Sequence, residues 1–122
     1  MSVNLKRPNK ENILSISGIN LSTAESGLKY NKRKDLALIA LDEGTVVAGV
    51  FTKNQFIAAP VVIAKSNLNI GPHKRAFIIN TGSANAGTGN KGLEDAKEIC
   101  NVLASNLKID SNEILPFSTG VI

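Results

Sequence analysis

Arg75-Ala76-Phe77-Ile78-Ile79-Asn80 is a short apolar run that opens into small polar residues, and it predicts a buried strand. Beyond it, Leu93, Ala96, Cys100, Leu103 and Leu107 recur at three- and four-residue steps, with Ile99 and Val102 widening the stripe. That spacing gathers them on one face of a helix. Glu94 and Asp95 fall in its expected first turn and Lys108 at its end, as the helix dipole favours. One amphipathic helix after several strands defines the expected fold class, α/β in mixed α+β layers.

Toward the N-terminus, Asp35-Leu36-Ala37-Leu38-Ile39-Ala40-Leu41 predicts an apolar strand. Asp42-Glu43-Gly44-Thr45 supplies turn chemistry, and Val46-Val47-Ala48-Gly49-Val50-Phe51-Thr52 reads as the returning strand of an antiparallel hairpin. Ile13-Leu14-Ser15-Ile16-Ser17-Gly18 alternates at period two and predicts another short strand, with Ser22 to Lys34 as a polar loop after it. Pro60 introduces Val61 to Leu68, which fits a strand or a short helix equally well. Residues 1–12 form a polar lead-in.

Toward the C-terminus, Asn112 to Pro116 reads as a polar turn and then a short apolar run, with Ser118-Thr119-Gly120 after it. A hydroxyl beside a glycine at a strand end offers an O–H and an exposed N–H together. Such a pair stabilises an oxyanion when both donors point at one place. Val121 and Ile122 follow with no polar tail and no helix to bury them, so the expectation is of an end that has been cut.

Composition narrows the classes. With 122 residues, 43% of them apolar and 20% charged, the chain has the make-up of one ordinary globular domain. Aromatics are 4% and Trp is absent, so aliphatic residues and Ala must fill the core. The net charge of +4 is scattered, with tight basic runs only at Lys32-Arg33-Lys34 and Lys74-Arg75, and few aromatics to stack bases; no nucleic-acid partner is expected. A single cysteine allows no internal disulfide, the polar N-terminus lacks a signal-peptide pattern, and no run is long enough to span a bilayer. The expectation is a cytoplasmic protein with no membrane partner.

Other motifs resolve to plain readings. Gly87-Thr88-Gly89-Asn90-Lys91-Gly92 fits G-x-G-x-x-G, yet Thr81 to Ala86 separate it from the strand that a dinucleotide fingerprint requires directly before it. A phosphate loop fails too, since Thr88 stands where Lys is needed after Gly82 to Gly87. A flexible glycine loop leading into the helix is the simpler reading, with a nucleotide-binding module as the alternative. His73, the single histidine, sits in an expected surface turn, and without further His or Cys no ordinary zinc site assembles. Cys100 lies on the apolar stripe and reads as core. No metal and no cofactor is expected. Asn80-Thr81-Gly82-Ser83-Ala84-Asn85-Ala86 lets another backbone come close, as a packed junction or the floor of a cleft.

Several long stretches, in order along nearly the whole chain, resemble one family. They are Leu21-Ser22-Thr23-Ala24-Glu25-Ser26-Gly27-Leu28-Lys29, Arg33-Lys34-Asp35-Leu36, Ala48-Gly49-Val50-Phe51-Thr52-Lys53-Asn54 and Ala58-Ala59-Pro60-Val61. Ile79-Asn80-Thr81-Gly82-Ser83-Ala84-Asn85-Ala86-Gly87-Thr88-Gly89 and Phe117-Ser118-Thr119-Gly120-Val121-Ile122 complete the set. The chain resembles the arginine-biosynthesis ornithine acetyltransferases, also called glutamate N-acetyltransferases, the ArgJ family. Ser83 departs from the family, which usually has asparagine there.

The resemblance implies the DmpA/ArgJ-like fold, here as an N-terminal fragment with mostly antiparallel strands and a C-terminal amphipathic helix. It implies a precursor that cuts itself before a threonine into α and β chains, assembling as an α2β2 heterotetramer. The β chain's N-terminal threonine would take acetyl from N-acetylornithine and pass it to glutamate, its own amine serving as base. Acetyl-CoA is a possible second donor. By the same resemblance Thr119, through its hydroxyl, and Gly120, through its N–H, form the oxyanion hole. Met1 is the sole methionine, whereas the family's cleavage site lies in a methionine-containing segment, and neither Gly44-Thr45 nor Gly87-Thr88 sits in that context. Residues 1–122 are therefore expected to be a single partial domain, the N-terminal part of the α chain, supplying oxyanion hole and scaffold but not the nucleophile. A related self-processing N-terminal-nucleophile hydrolase or aminopeptidase is the other alternative, differing in whether water or an amino acid meets the acyl-enzyme.

Overall fold

Ala76 to Thr81 forms an inner strand of the molecule's four-stranded sheet, paired on both flanks. The computed structural model describes residues 6, 8–29 and 31–120. The apolar end at Val121 and Ile122 lies outside the described residues. In chain order the elements are β1 (Ile19–Ala24), β2 (Leu36–Leu41), α1 (Ala59–Ile70), β3 (Ala76–Thr81), α2 (Gly89–Leu107) and β4 (Ile114–Thr119), with 3-10 turns at Lys10–Asn12 and Ser111–Glu113. The sheet order is β1-β2-β3-β4. β1–β2 and β2–β3 are antiparallel and β3–β4 is parallel, so the mixed α/β class and the mostly antiparallel sheet both hold.

Both helices cover one face of this sheet. Ala76 and Ile78 of β3, beside Ile114 of β4, pack against Ala59 and Ile63 of α1 and Ala96, Cys100 and Ala104 of α2. The contact stripe of α2 is made of small residues, Gly92, Ala96, Cys100 and Ala104, spaced four apart. Leu107, expected on the stripe, is 37% exposed, and Ile99 and Val102 do not widen it, being 40% and 52% exposed. Small side chains let α2 approach closely, while Leu93 and Leu103 fill the flanks. On the opposite face Phe77 and Phe117 meet edge to face at 5.8 Å.

Four expectations change. The strand near the N-terminus is Ile19–Ala24, not Ile13–Gly18, and it takes in Ser22 to Ala24 of the expected loop. β2 is six residues long, its ladder ends at the Ile19–Leu41 pair, and Gly18 at φ +82° turns the chain away. Second, Val46–Thr52 does not return as a hairpin strand. Both edges of β2 are occupied, by β1 and β3, so no edge remains for it. That segment keeps one isolated bridge, Val46 to His73, although the turn before it forms as expected through Thr45 N–H and Oγ1 donating to the Asp42 carbonyl. Third, α2 starts at Gly89, which places Glu94 and Asp95 beyond its first turn. Lys108 does close it, in the left-handed conformation with its N–H on the Ala104 carbonyl. Fourth, α2 is not the C-terminal element, since β4 follows it.

The segment left open between strand and helix is α1, with Pro60 in its first turn, where a missing N–H costs nothing. α1 is tied to β4 by Asn67, a buried side chain whose Nδ2 donates to the carbonyls of Ile114 (2.7 Å) and Ser111 (3.3 Å). Replacing Asn67 by Leu keeps the bulk but strands those carbonyls. A loss of about 1–3 kcal/mol is expected. Urea denaturation measures it, and an unchanged midpoint would mean this tie contributes nothing.

Candidate functional site

The parallel pairing of β3 and β4 brings Thr81 and Thr119 opposite each other at the carboxyl ends of the two strands. Open sheets that carry parallel strands commonly bind ligands at such ends. The Gly82 N–H donates to the Thr119 carbonyl at 2.9 Å, extending the ladder by one bond. One residue earlier, the Ser118 hydroxyl donates to Asn80 Oδ1 at 2.6 Å, and Asn80 Nδ2 donates to the Ser83 carbonyl at 3.0 Å. Asn80 thereby holds both the end of β4 and the loop after β3. Thr119 and Gly120 are exposed at this edge, side by side as the sequence reading expects.

Gly120 must be glycine for two reasons. Its φ is +154°, which L side chains rarely adopt, and a Cβ there would lie 2.7 Å from both the Gly82 carbonyl carbon and the Ser83 nitrogen. Gly82 is constrained in turn, with φ +108° and Lys29 Cβ 3.0 Å from where its own Cβ would sit. Two backbone layers, Gly82-Ser83 and Gly120, therefore stack without room for side chains between them, and the Leu28 and Lys29 side chains close on Gly82. The small-residue stretch Asn80–Ala86 is thus a packed junction that fixes the end of β4.

Asp35 anchors the loop that carries those two side chains. It is 3% exposed, and its carboxylate accepts from the Ser26 N–H (2.6 Å), the Ser26 hydroxyl (2.9 Å) and the Leu28 N–H (2.8 Å). The hydrogen bond from the Ser26 N–H, helped by those from Leu28 and the Ser26 hydroxyl, holds its pKa below the ordinary carboxylate value, although burial pushes the other way. Sequence reasoning missed this residue. The available signal was an acidic side chain opening an otherwise apolar strand nine residues after a Ser.

The glycine loop packs against the starts of both helices. β3 ends at Thr81, and residues 82–88 separate it from α2, so the Gly87–Gly92 pattern does not follow the strand directly. Asn85, at φ +48°, knots the two helix starts together. Its carbonyl accepts the Ala59 N–H, its Nδ2 donates to the Gly92 carbonyl, and its Oδ1 accepts the Thr88 hydroxyl. A Cβ on Gly92 would lie 1.8 Å from Thr88 Oγ1 and 2.3 Å from Asn85 Oδ1. Gly92 makes room for that knot.

The remaining candidates lie elsewhere. His73 is exposed three residues before β3, at the opposite end of that strand from Thr81. Cys100 is 2% exposed and its thiol is pushed up to about 11 by burial, so it is no nucleophile near neutral pH. Lys74 is 1% exposed, and burial lowers its pKa against the pull of Glu113. Its Nζ donates to the Gly71 and His73 carbonyls, closing the C-terminal end of α1, which is a structural use. Among the described residues no cluster of His, Cys, Asp or Glu could hold a metal, and no helix is long and apolar enough to cross a membrane. A largely apolar groove of about 290 Å³ runs beside the end of β4, walled by Phe51, Pro60, Val61, Pro116 and Ser118. A second, of about 330 Å³, lies between the two helix starts, where Phe56 and Leu93 line it.

A self-packed glycine junction thus stands at the ends of two parallel strands in a mixed α/β sheet, beside an exposed Thr-Gly pair. The ArgJ family model matches residues 20–122, and the chain belongs to the ArgJ family. It is 49% identical over all 122 residues to the arginine biosynthesis bifunctional protein ArgJ of Neisseria meningitidis serogroup A, and 48% identical to that of Neisseria gonorrhoeae. The chain spans 30% of the length of these relatives. Among solved structures it is similar to the arginine biosynthesis bifunctional protein ArgJ of Bacillus halodurans, with TM-score 0.80 and 34% identity over 87% of this chain and 55% of that one. It is also similar to an ornithine acetyltransferase of Mycobacterium tuberculosis solved with ornithine, with TM-score 0.81 and 35% identity over 87% of this chain and 57% of that one.

Two outcomes follow from this geometry. Gly to Ala inside a helix ordinarily stabilises by about 1 kcal/mol, but Gly92→Ala is expected to destabilise by roughly 1–3 kcal/mol through overpacking; thermal denaturation reads the sign. Asp35 has a depressed folded pKa, so its contribution is complete above the unfolded value near pH 4 and is lost as the pH falls through the folded value. Urea midpoints at pH 6 and pH 3 should therefore fall more for the wild type than for Asp35→Asn. Equal falls would exclude that linkage.

Proposed function

We propose that this chain is the N-terminal part of the α chain of a cytoplasmic, self-processing acetyltransferase that moves acetyl from N-acetylornithine to glutamate in arginine biosynthesis. The observation that carries the reading is the junction that fixes Gly120 and Thr119 at the carboxyl ends of β3 and β4. Membership in the ArgJ family and the likeness to a Mycobacterium tuberculosis ornithine acetyltransferase solved with ornithine support it.

In this reading a threonine at the N-terminus of a β chain attacks the acetyl carbonyl of N-acetylornithine, and its hydroxyl proton passes to its own α-amine. The carbonyl oxygen becomes an oxyanion that accepts hydrogen bonds from the Thr119 hydroxyl and the Gly120 N–H. Collapse breaks the C–N bond, the amine leaves with a proton, and an acetyl-threonine ester remains. The glutamate amine then attacks that ester through a second oxyanion at the same two donors, regenerating the threonine. A fixed donor pair lowers both barriers because no reorganisation accompanies the charge. Two α and two β chains assemble into the heterotetramer. Acetyl-CoA serves as a second donor in this scheme, a reading favoured by the relatives' description as bifunctional.

The test uses the protein that carries this sequence at the full length of its relatives. Wild type should transfer acetyl from N-acetylornithine to glutamate, and Thr119→Ala should lower kcat on the order of 100-fold, about 3 kcal/mol of barrier, with the melting temperature kept. No transfer by the wild type would sink the activity, whereas acetate released equally with and without glutamate would point to a hydrolase. An unchanged rate in the variant would remove Thr119 from the oxyanion role.

A further inference from the structure

The two backbone layers at Gly82-Ser83 and Gly120, and the Ser26–Lys29 loop whose side chains close on Gly82 as an outer layer, share one anchor. The Asp35 carboxylate binds the outer layer through three donors, the Ser26 N–H and hydroxyl and the Leu28 N–H. Its main-chain carbonyl accepts the Thr81 N–H at 2.8 Å, one residue before the middle layer begins at Gly82. Its own N–H donates to the Ala24 carbonyl, tying the start of the Ser26 loop to β2. Lys29 Cβ stands 3.0 Å from the point a Cβ on Gly82 would occupy, and Gly82-Ser83 backbone stands 2.7 Å from that point on Gly120. A shift of the Ser26–Lys29 loop is therefore felt at Gly82 directly, through the Lys29 side chain, and at Thr81 through the Asp35 carbonyl. The position of the innermost layer therefore depends on the outermost.

We propose that Asp35 is a positioning residue for acyl transfer: through the Ser26–Lys29 loop and Gly82 it sets where Gly120 and Thr119 stand. Asp35 touches no reacting atom, and its effect on chemistry rests on the oxyanion reading above. The mechanical coupling does not. Asn at this position keeps one oxygen for Ser26 but turns an amide NH2 toward the Leu28 N–H, donor facing donor. The loop then backs away, and the layers beneath Gly120 loosen.

The experiment combines kinetics with hydrogen–deuterium exchange read by mass spectrometry on the full-length protein carrying this sequence. Asp35→Asn should speed exchange about tenfold both in residues 24–36 and in residues 80–86, with the rest of the protein unchanged. It should also lower kcat about 10- to 100-fold while KM stays within about twofold, the mark of misplaced donors rather than lost binding. Ser26→Ala removes only the hydroxyl donor and should move both readouts the same way by less; it decides the question if Asp35→Asn does not fold. Faster exchange confined to residues 24–36, or an unchanged kcat in an active enzyme whose loop has loosened, would overturn the proposal. If the wild type proves inactive in acetyl transfer, the reading of the reaction fails, and exchange in residues 80–86 still decides the coupling.

Discussion

Because β3 and β4 run parallel, their carboxyl ends arrive at one edge of the sheet together, and the rest of the molecule is arranged around that coincidence. Parallel neighbours cannot be joined by a tight turn, so a crossover is required. α2 supplies it, returning the chain across one face over residues 89–107. Its small-residue stripe lets it lie close on Ala76, Ile78 and Ile114, which places the crossover against the sheet. α1 then fills the same face beside β4, held there by Asn67. Had β4 paired antiparallel, Thr119 would lie at the far end of the sheet from Gly82, and no junction would form.

At that edge the backbone does the work usually given to side chains. Gly82 and Gly120 are in contact through main-chain atoms, and the Asn80–Ser118 pair and the Gly82 N–H to the Thr119 carbonyl pin the two strand ends together. Fixing a donor N–H this way suits acyl transfer, because stabilising an oxyanion depends on donors that are already in place. Burying Asp35 is tolerable because three donors satisfy its carboxylate, and their preference for the charged form keeps it ionised.

The glycine-rich loop shows how one pattern can serve two kinds of chemistry. Gly87 and Gly89 adopt positive φ as a phosphate-cradling turn would, but the loop starts too far from β3, and Gly92 is occupied by the Asn85 and Thr88 side chains. Spacing alone could not separate the two. The distance from the strand could, and it was visible in the sequence.

Local patterning determined much of this protein. The apolar runs at Leu36–Leu41 and Ala76–Thr81, the helix closed at Lys108, the burial of Cys100 and the pairing of a hydroxyl with a glycine at Thr119-Gly120 all follow from nearest-neighbour chemistry. Strand partners did not. Ile13–Gly18 and Val46–Thr52 have strand-like alternation, yet β2 has only two edges, and β1 and β3 take them. Whether Val61 to Leu68 would be strand or helix was likewise decided by packing, since a short apolar run satisfies either period until a sheet face needs covering. Asp35 illustrates the last limit. Its partners Ser26 and Leu28 are close in sequence, but its influence on Gly120 passes through Gly82, a contact that exists only once β2, β3 and β4 lie side by side. Residue types and periods fix which segments are elements, because those depend on neighbours a few positions away. Which elements touch is settled by edge occupancy and close packing, which are properties of the whole sheet.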